Sequence, residues 1–145
     1  MAITLAEVTY DIVEQVVALK VREDQKDLVR DPRQSLNIAA SEQDLRALAI
    51  YADEVLVGFC MYGTDEEDGR ISVQSLMIDA AFQGKGYSSL ALQALIERVR
   101  EERNPAALYA DILKDNGAAE RIFSKSGFSK TGEEQNGELE WMYRY

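Results

Sequence analysis

The spacing of apolar side chains changes several times along the chain, and each change predicts an element. Ile3, Leu5 and Val8 suggest a first strand, after which Asp11 and Glu14 have the spacing of a capping box opening a helix over DIVEQVVALKV. Residues 22–44, REDQKDLVRDPRQSLNIAASEQD, are polar and broken by Pro32, and read as one or two short helices with loops. LRALAIYADEVLVGFCMYG reads as two β-rich runs around Ala52, Asp53 and Glu54, the length of a hairpin loop. The acidic residues 64–69 end that hairpin and lead to another strand, ISVQSLMID. The period then lengthens: Leu92, Leu95, Ile96 and Val99 fall at i, i+3, i+4 and i+7, the stripe of an amphipathic helix that ends before Asn104-Pro105. LYADILKDN predicts a strand, and GAAERIFSKS a short helix stopped by Gly127, with Phe128 packing back on its last turn. Asn136-Gly137 between residues 128–135 and 138–145 is a strong hairpin signal; this hairpin, which carries Trp141, Met142, Tyr143 and Tyr145, offers either a self-pairing edge for a homodimer or a strand buried in the chain's own sheet. The order strand, helix, β-meander, helix, strand, helix, hairpin predicts an α/β (α+β) fold with a mixed sheet flanked by helices, over residues 1–145 as one domain.

Composition narrows the chemistry. The 145 residues, 46% of them hydrophobic, supply enough apolar material for one core. No apolar run reaches membrane-spanning length and the first residues lack the pattern of a signal peptide, so a cytoplasmic protein without a membrane partner is expected. Cys60, the single cysteine, lies inside VLVGFCMYG and reads as a buried small hydrophobe. The absence of histidine excludes Ser-His and Cys-His triads and histidine-based zinc sites, and no metal is expected. Twenty-six acidic against sixteen basic residues give a formal charge of −10, which repels nucleic acid and concentrates cationic small molecules, although solubility alone accounts for many acidic surfaces.

The stretch AFQGKGYS joins the strand ISVQSLMID to the helix SLALQALIERVR. Backbone N–H groups and the positive end of a helix dipole converge there, as in an anion site. Its two glycines remove the Cβ atoms that would hold a phosphate off the backbone, Lys85 adds charge and Ser88 a hydroxyl. A pyrophosphate fits this description, but the turn is neither a P-loop nor the G-x-G-x-x-G of dinucleotide folds. Taken alone it is equally the pattern of a plain strand-to-helix connection with a capping serine.

Two motifs in order distinguish these readings. QGKGYS resembles the Q/R-x-x-G-x-G/A acetyl-CoA loop of the GNAT superfamily of N-acetyltransferases, with Ser88 where the last Gly or Ala usually stands. Asn116, Ala119, Ile122, Phe123, Gly127 and Phe128 resemble its following motif, N-x-x-A-x-x-L-Y-x-x-x-G-F. The resemblance covers nearly the whole chain, and VGFCMYG, DGR, LMID and FQGKGYS look most like the bacterial spermine/spermidine (diamine) acetyltransferases. It implies acetyl-CoA as cosubstrate and transfer of its acetyl group to a primary amine, with a polyamine favoured over an amino acid, an antibiotic or a protein N-terminus. It also implies that Leu76, Met77 and Ile78 lend backbone groups to the pantetheine arm, while their side chains read as core. Gln83, Gly84, Lys85, Gly86, Tyr87 and Ser88 would surround the pyrophosphate. Asn116 would hydrogen-bond the cofactor and reads equally as a helix N-cap; Phe123 would pack against the arm, and Lys125 would approach a CoA phosphate or simply be solvated. Glu23, Asp24 and Gln25 would line the acceptor cleft and hold ammonium groups, or form the polar face of a surface helix.

The implied chemistry is attack of a neutral amine on a thioester. An alkyl ammonium has a pKa of about 10.4, so its deprotonation at pH 7 costs about 4.6 kcal/mol and needs an acceptor. Asp111 is the candidate, because the strand LYADILKDN should border the thioester; an ordinary strand aspartate paired with a basic neighbour is the alternative. Ser72, Gln74 and Ser75 are neutral where relatives often carry a glutamate, and Phe123 occupies the position of the usual proton-donating tyrosine. Tyr62, Tyr87 and Tyr143 are the substitutes to place. A CoA-binding protein without turnover is the rival these departures raise.

Overall fold

The computed structural model describes residues 2–26, 31–41, 44–65 and 67–145. Seven strands form one sheet: β1 (Ile3–Glu7), β2 (Leu45–Ala52), β3 (Val55–Thr64), β4 (Ile71–Ile78), β5 (Ala107–Leu113), β6 (Ser129–Gln135) and β7 (Glu138–Arg144), in the order β1-β2-β3-β4-β5-β7-β6. Every neighbouring pair is antiparallel except β4 with β5. The helices are α1 (Val13–Val17), α2 (Pro32–Ser41), α3 (Tyr87–Arg103) and α4 (Gly117–Lys125), with 3₁₀ turns at Glu23–Gln25 and Ala80–Phe82.

One face of the sheet is covered by α3 and α4. The expected stripe Leu92, Leu95, Ile96 and Val99 is buried there with Tyr62, Leu108, Phe123 and Trp141. Cys60 is fully buried in the same core, and that burial pushes its thiol up to about 12. On the opposite face Val16 and Leu19 pack on Ala49, Phe59, Met61 and Met77. The turn signals act as their chemistry predicts. Asn136 and Gly137 adopt φ of 56° and 80° between β6 and β7, and Gly127 (φ 106°) ends α4 so that the Phe128 N–H reaches the Phe123 carbonyl at 3.0 Å. The two phenyl rings then meet edge to face, 4.9 Å apart.

One expectation needs correction. The Asp11–Glu14 capping box does not form: α1 begins at Val13, and its N-cap is Ile12, with no side-chain cap bond. The helix is also short, because the chain beyond it is claimed by tertiary hydrogen bonds. The Lys20 N–H donates to Asp79 Oδ1 at 2.8 Å and the Lys20 carbonyl accepts from Ala80 N–H at 2.7 Å. Residues 22–44 form the expected short helices, the 3₁₀ turn Glu23–Gln25 and α2, and Pro32 opens α2, since a first-turn proline lacks only an N–H that has no helical partner; residues 27–30 and 42–43 of that segment lie outside the described residues. In the C-terminal hairpin β7 is an inner strand between β5 and β6, so Trp141, Met142 and Tyr143 follow the second of the two readings and belong to the chain's own sheet. The outer strand β6 is exposed at every position, and its register breaks between Lys130 and Glu134, features that blunt an edge against self-pairing.

The central irregularity lies in β4. Tyr62 pairs with Val73 but Met61 with Ser75, which leaves Gln74 as an extra residue in β4. The parallel pairing of β4 with β5 consists of Ser72 with Tyr109 and Val73 with Ala110, and it ends at this bulge. Beyond it the strands part. β3 supports β4 through the break at close quarters: a Cβ on Gly58 would lie 2.3 Å from the Met77 carbonyl oxygen.

The far end of α3 is tied to the start of β2 by Arg103, which donates to both Asp44 oxygens at 2.6 and 3.0 Å. Hydrogen bonds first from Arg103 and then from Thr64 hold the Asp44 carboxyl down to about 2. Its folded pKa therefore lies below the unfolded one, so the stabilisation is complete above roughly pH 4 and is lost as pH falls through about 2. Because the pair is partly exposed, Asp44→Asn should lower stability at pH 7 by no more than about 1 kcal/mol. Urea denaturation of both proteins at pH 7 and pH 2 should show this difference at the first pH and not at the second.

Candidate active site

Beyond the bulge, one edge of β4 remains paired to β3 while the other faces the gap left by β5. Main-chain groups on that free edge require partners from elsewhere. The gap opens into a cleft of about 390 Å³. Leu76, Met77 and Ile78 line one wall, and Gln83, Gly84, Gly86, Tyr87 and Ser88 its end. Asn116, Ala119, Ile122 and Phe123 close it from α4. The sequence-predicted cofactor residues are therefore brought together, except Lys85 and Lys125, which do not line this cleft.

The two helix starts at the cleft differ. Asn116 caps α4, its Oδ1 accepting from the Ala119 N–H at 3.2 Å, so the capping role is realised while the residue also lines the cleft. The N-cap of α3 is Gly86, in the left-handed region at φ 82°, and no side chain caps this helix. Ser88 does not serve as its cap. The first N–H groups of α3 thus remain for an anion, beside a second left-handed glycine, Gly84 (φ 81°). A Cβ built at either glycine meets nothing within 4 Å, so open space adjoins the turn.

Gln83 is engaged differently from the expectation that it surrounds a pyrophosphate. Its Nε2 donates to the Ile78 carbonyl at 2.9 Å and to Gln25 Oε1 at 2.8 Å. Gln25 thereby lines the first cleft, with Val21 and Arg22, and not the second. A second cleft of about 460 Å³ lies between α1 and the start of α2 and contains Lys20, Glu23, Lys26 and Asp31. The clefts share Val21 and Met77. Glu23 faces the second cleft and pairs with Lys26 at 2.9 Å, whereas Asp24 lines neither and lies 3.5 Å from Arg22.

Asp111 follows the last residue of β5 that pairs with β4, so it stands where the strands begin to part, and it lines neither cleft. It is solvent-exposed and lies opposite Glu140 in the β5–β7 ladder. The basic neighbour goes elsewhere: Arg70 bonds Glu140 at 2.9 Å and lies 4.4 Å above the centre of the Tyr109 ring. Thr131 donates to the other Glu140 oxygen at 2.9 Å. The Asp111 carboxylate has no hydrogen bond or ion pair among the described residues. Desolvation by the surrounding protein, then repulsion from Glu140, Asp65 and Asp68, raises its pKa, and Arg70 opposes the rise.

The three candidate tyrosines separate clearly. Tyr62 is buried under α3, where its hydroxyl donates to Glu102, and burial together with that bond pushes it up to about 12. Tyr143 packs between Phe128 and Tyr145 at 5.6 and 5.0 Å. Only Tyr87 of the three lines the first cleft, at its glycine-turn end. Lining residues not expected as site residues from the sequence include Val21, Arg22 and Phe82, with Ser89, Ala118, Ala119 and Ile122 on the helices; nothing in the local pattern of the first two reveals that the 3₁₀ turn Glu23–Gln25 folds against the glycine turn.

Residues 12–128 match the acetyltransferase (GNAT) family. The chain is 30% identical to the spermine/spermidine N(1)-acetyltransferase of Bacillus subtilis strain 168, over 95% of each protein. Its fold matches AAC(6')-Ib in complex with ribostamycin and coenzyme A, with a TM-score of 0.83 at 14% identity, over 99% of this chain and 94% of that one. It also matches spermidine N-acetyltransferase from Vibrio cholerae in complex with CoA and spermine, with a TM-score of 0.75 at 14% identity, over 97% and 93%. The chain belongs to the GNAT family and is an acetyl-CoA-dependent N-acetyltransferase. An uncapped helix start, two left-handed glycines with open space beside them and a free strand edge suit a ligand that carries a diphosphate and an amide-bearing arm.

Gly86→Ala would force a side chain into the left-handed region, at about 1 kcal/mol, and place a methyl group at the open end of the turn. The fold should survive, with the melting temperature lowered by a few degrees. The rise in melting temperature on adding acetyl-CoA should shrink markedly, whereas an unchanged rise would remove Gly86 from the site.

Proposed function

We propose that this acetyltransferase uses a polyamine such as spermine or spermidine as its acceptor, with Asp111 taking the proton of the reacting amine. The observation that carries the reading is the pair of clefts that meet at Val21 and Met77, beside a free strand edge. Transfer between two molecules requires both to reach one point, and adjoining clefts supply two approaches to it. The 30% identical Bacillus relative supports a polyamine acceptor, as does the charge of −10.

In this reading the donor's arm lies along Leu76–Ile78 and its diphosphate at the glycine turn. The ammonium proton passes to Asp111, directly or through water. The neutral nitrogen attacks the thioester carbonyl carbon, forming the C–N bond; collapse of the intermediate breaks the C–S bond, and the nitrogen's second proton goes to the departing sulfur. Phe123 has no proton to give, so this route needs no tyrosine at that position. Carboxylates beside an ammonium raise its pKa, which opposes deprotonation. Distance resolves the conflict for a polyamine: Glu23 in the second cleft attracts a remote ammonium while another nitrogen reacts.

Release of CoA from acetyl-CoA should be measured with spermine, spermidine and simple monoamines at matched concentrations. A kcat/KM at least tenfold higher for the polyamines is expected, and equal values would overturn the polyamine assignment. The role of Asp111 has its own check in pH profiles. Asp111→Asn should lower kcat/KM more at pH 7 than at pH 10. Because Arg70 opposes the rise in the Asp111 pKa, Arg70→Gln should move the acidic limb of the profile to higher pH. An Asp111→Asn profile parallel to that of the unaltered enzyme would exclude Asp111 as the acceptor.

A further inference from the structure

We infer that Arg22 recognises a phosphate of the cofactor, reaching the first cleft from the short stretch that separates it from the second; the inference rests on the first cleft being the acetyl-CoA site. The charges around the cleft point to it. In a chain of net charge −10, Arg22 is the one charged side chain lining this cleft among the described residues. Lys85 and Lys125, the cations expected to serve there, do not line it. The backbone N–H groups of the glycine turn and the start of α3 carry only partial charge, so within the cleft Arg22 would supply the full counter-charge to a polyanion seated on them.

The backbone around Arg22 is held in place for this task. Its N–H donates to Gln25 Oε1 at 3.1 Å, and the same oxygen accepts from Gln83 Nε2 at 2.8 Å. Gln83 begins the glycine turn, so Arg22 is two hydrogen bonds from the loop that it would assist. Upstream, Lys20 is tied to Asp79 and Ala80, as described above. The guanidinium itself is little committed. Its one ion pair among the described residues joins Nε to Asp24 at 3.5 Å, and both side chains are more than half exposed. Such a pair is weak and leaves the two terminal nitrogens free to form a bidentate contact with phosphate. The preceding residue, Val21, lines both clefts, and the next, Glu23, lines the second. One short segment thus directs a cation towards the donor and an anion towards the acceptor.

Binding of CoA, 3′-dephospho-CoA and pantetheine to the unaltered protein, Arg22→Gln and Arg22→Lys tests this by calorimetry, with pantetheine followed by competition. Arg22→Gln should weaken CoA binding about tenfold or more, and less so in roughly 0.5 M salt. Arg22→Lys should recover part of the loss, and pantetheine, which has no phosphate, should bind both variants as it binds the unaltered protein. A penalty retained with 3′-dephospho-CoA assigns the contact to the diphosphate, and a penalty lost assigns it to the 3′-phosphate; either supports the inference. CoA affinity of Arg22→Gln within twofold of the unaltered protein overturns it, as does an equal loss for pantetheine, which would mark Arg22 as a structural part of the wall. Failure of the unaltered protein to bind CoA would instead remove the donor-cleft reading itself.

Discussion

The parting of β4 from β5 after two paired residues is the constraint on which the rest of the site depends. A strand edge inside a sheet ordinarily satisfies its N–H and C=O groups with the next strand. Here the extra residue at Gln74 disturbs the alternation of β4, and the pairing stops beside it. The exposed edge could not remain free in a dry core, so it lines a cleft. Gln83 satisfies the Ile78 carbonyl, and the cleft wall continues through the glycine turn into α3. A ligand with amides along its length and phosphates at one end complements both features, which makes the cofactor part of the hydrogen-bonding logic of the fold.

The segment after α1 depends on that geometry. The stretch 20–25 has no element longer than one 3₁₀ turn, yet hydrogen bonds of Lys20 with Asp79 and Ala80, and of Gln25 with Gln83, hold it against the first cleft. Val21 and Met77 line both clefts and mark where they meet.

Charge is distributed unevenly around Asp111. Arg70 is drawn to Glu140 and Asp68 and leaves Asp111 unpaired, although their common neighbourhood holds the Asp111 pKa above its ordinary value. A proton acceptor works best when its affinity for the proton approaches the working pH without reaching it, and the Arg70–Glu140 pair moderates repulsion that would otherwise be larger. The same acidity suits a substrate with several ammonium groups, provided that its reacting nitrogen is the one away from most of the carboxylates.

Much of the fold was legible in the sequence because its signals are local. The apolar stripe of α3, the left-handed Gly127 and the Asn136-Gly137 turn act through neighbours a few residues away, and their chemistry determined elements that tertiary packing then used unchanged. The glycine turn and the Asn116–Phe128 pattern likewise determined a family and a cofactor, since the motif residues lie close along the chain. Tertiary structure decided what depends on contacts across long separations. The helix after Asp11 was cut short where Lys20 bonds residues 79 and 80, and Tyr62 was buried under α3, where Glu102, forty residues on, takes its hydroxyl. Gln25 turned into the first cleft because Gln83 holds it, Arg22 entered the same cleft, and Asp111 was left unpaired while Arg70 found Glu140, seventy residues away. Sequence determines which groups exist and the turns between them; which charges meet is decided by the sheet, because its order alone brings distant strands into register.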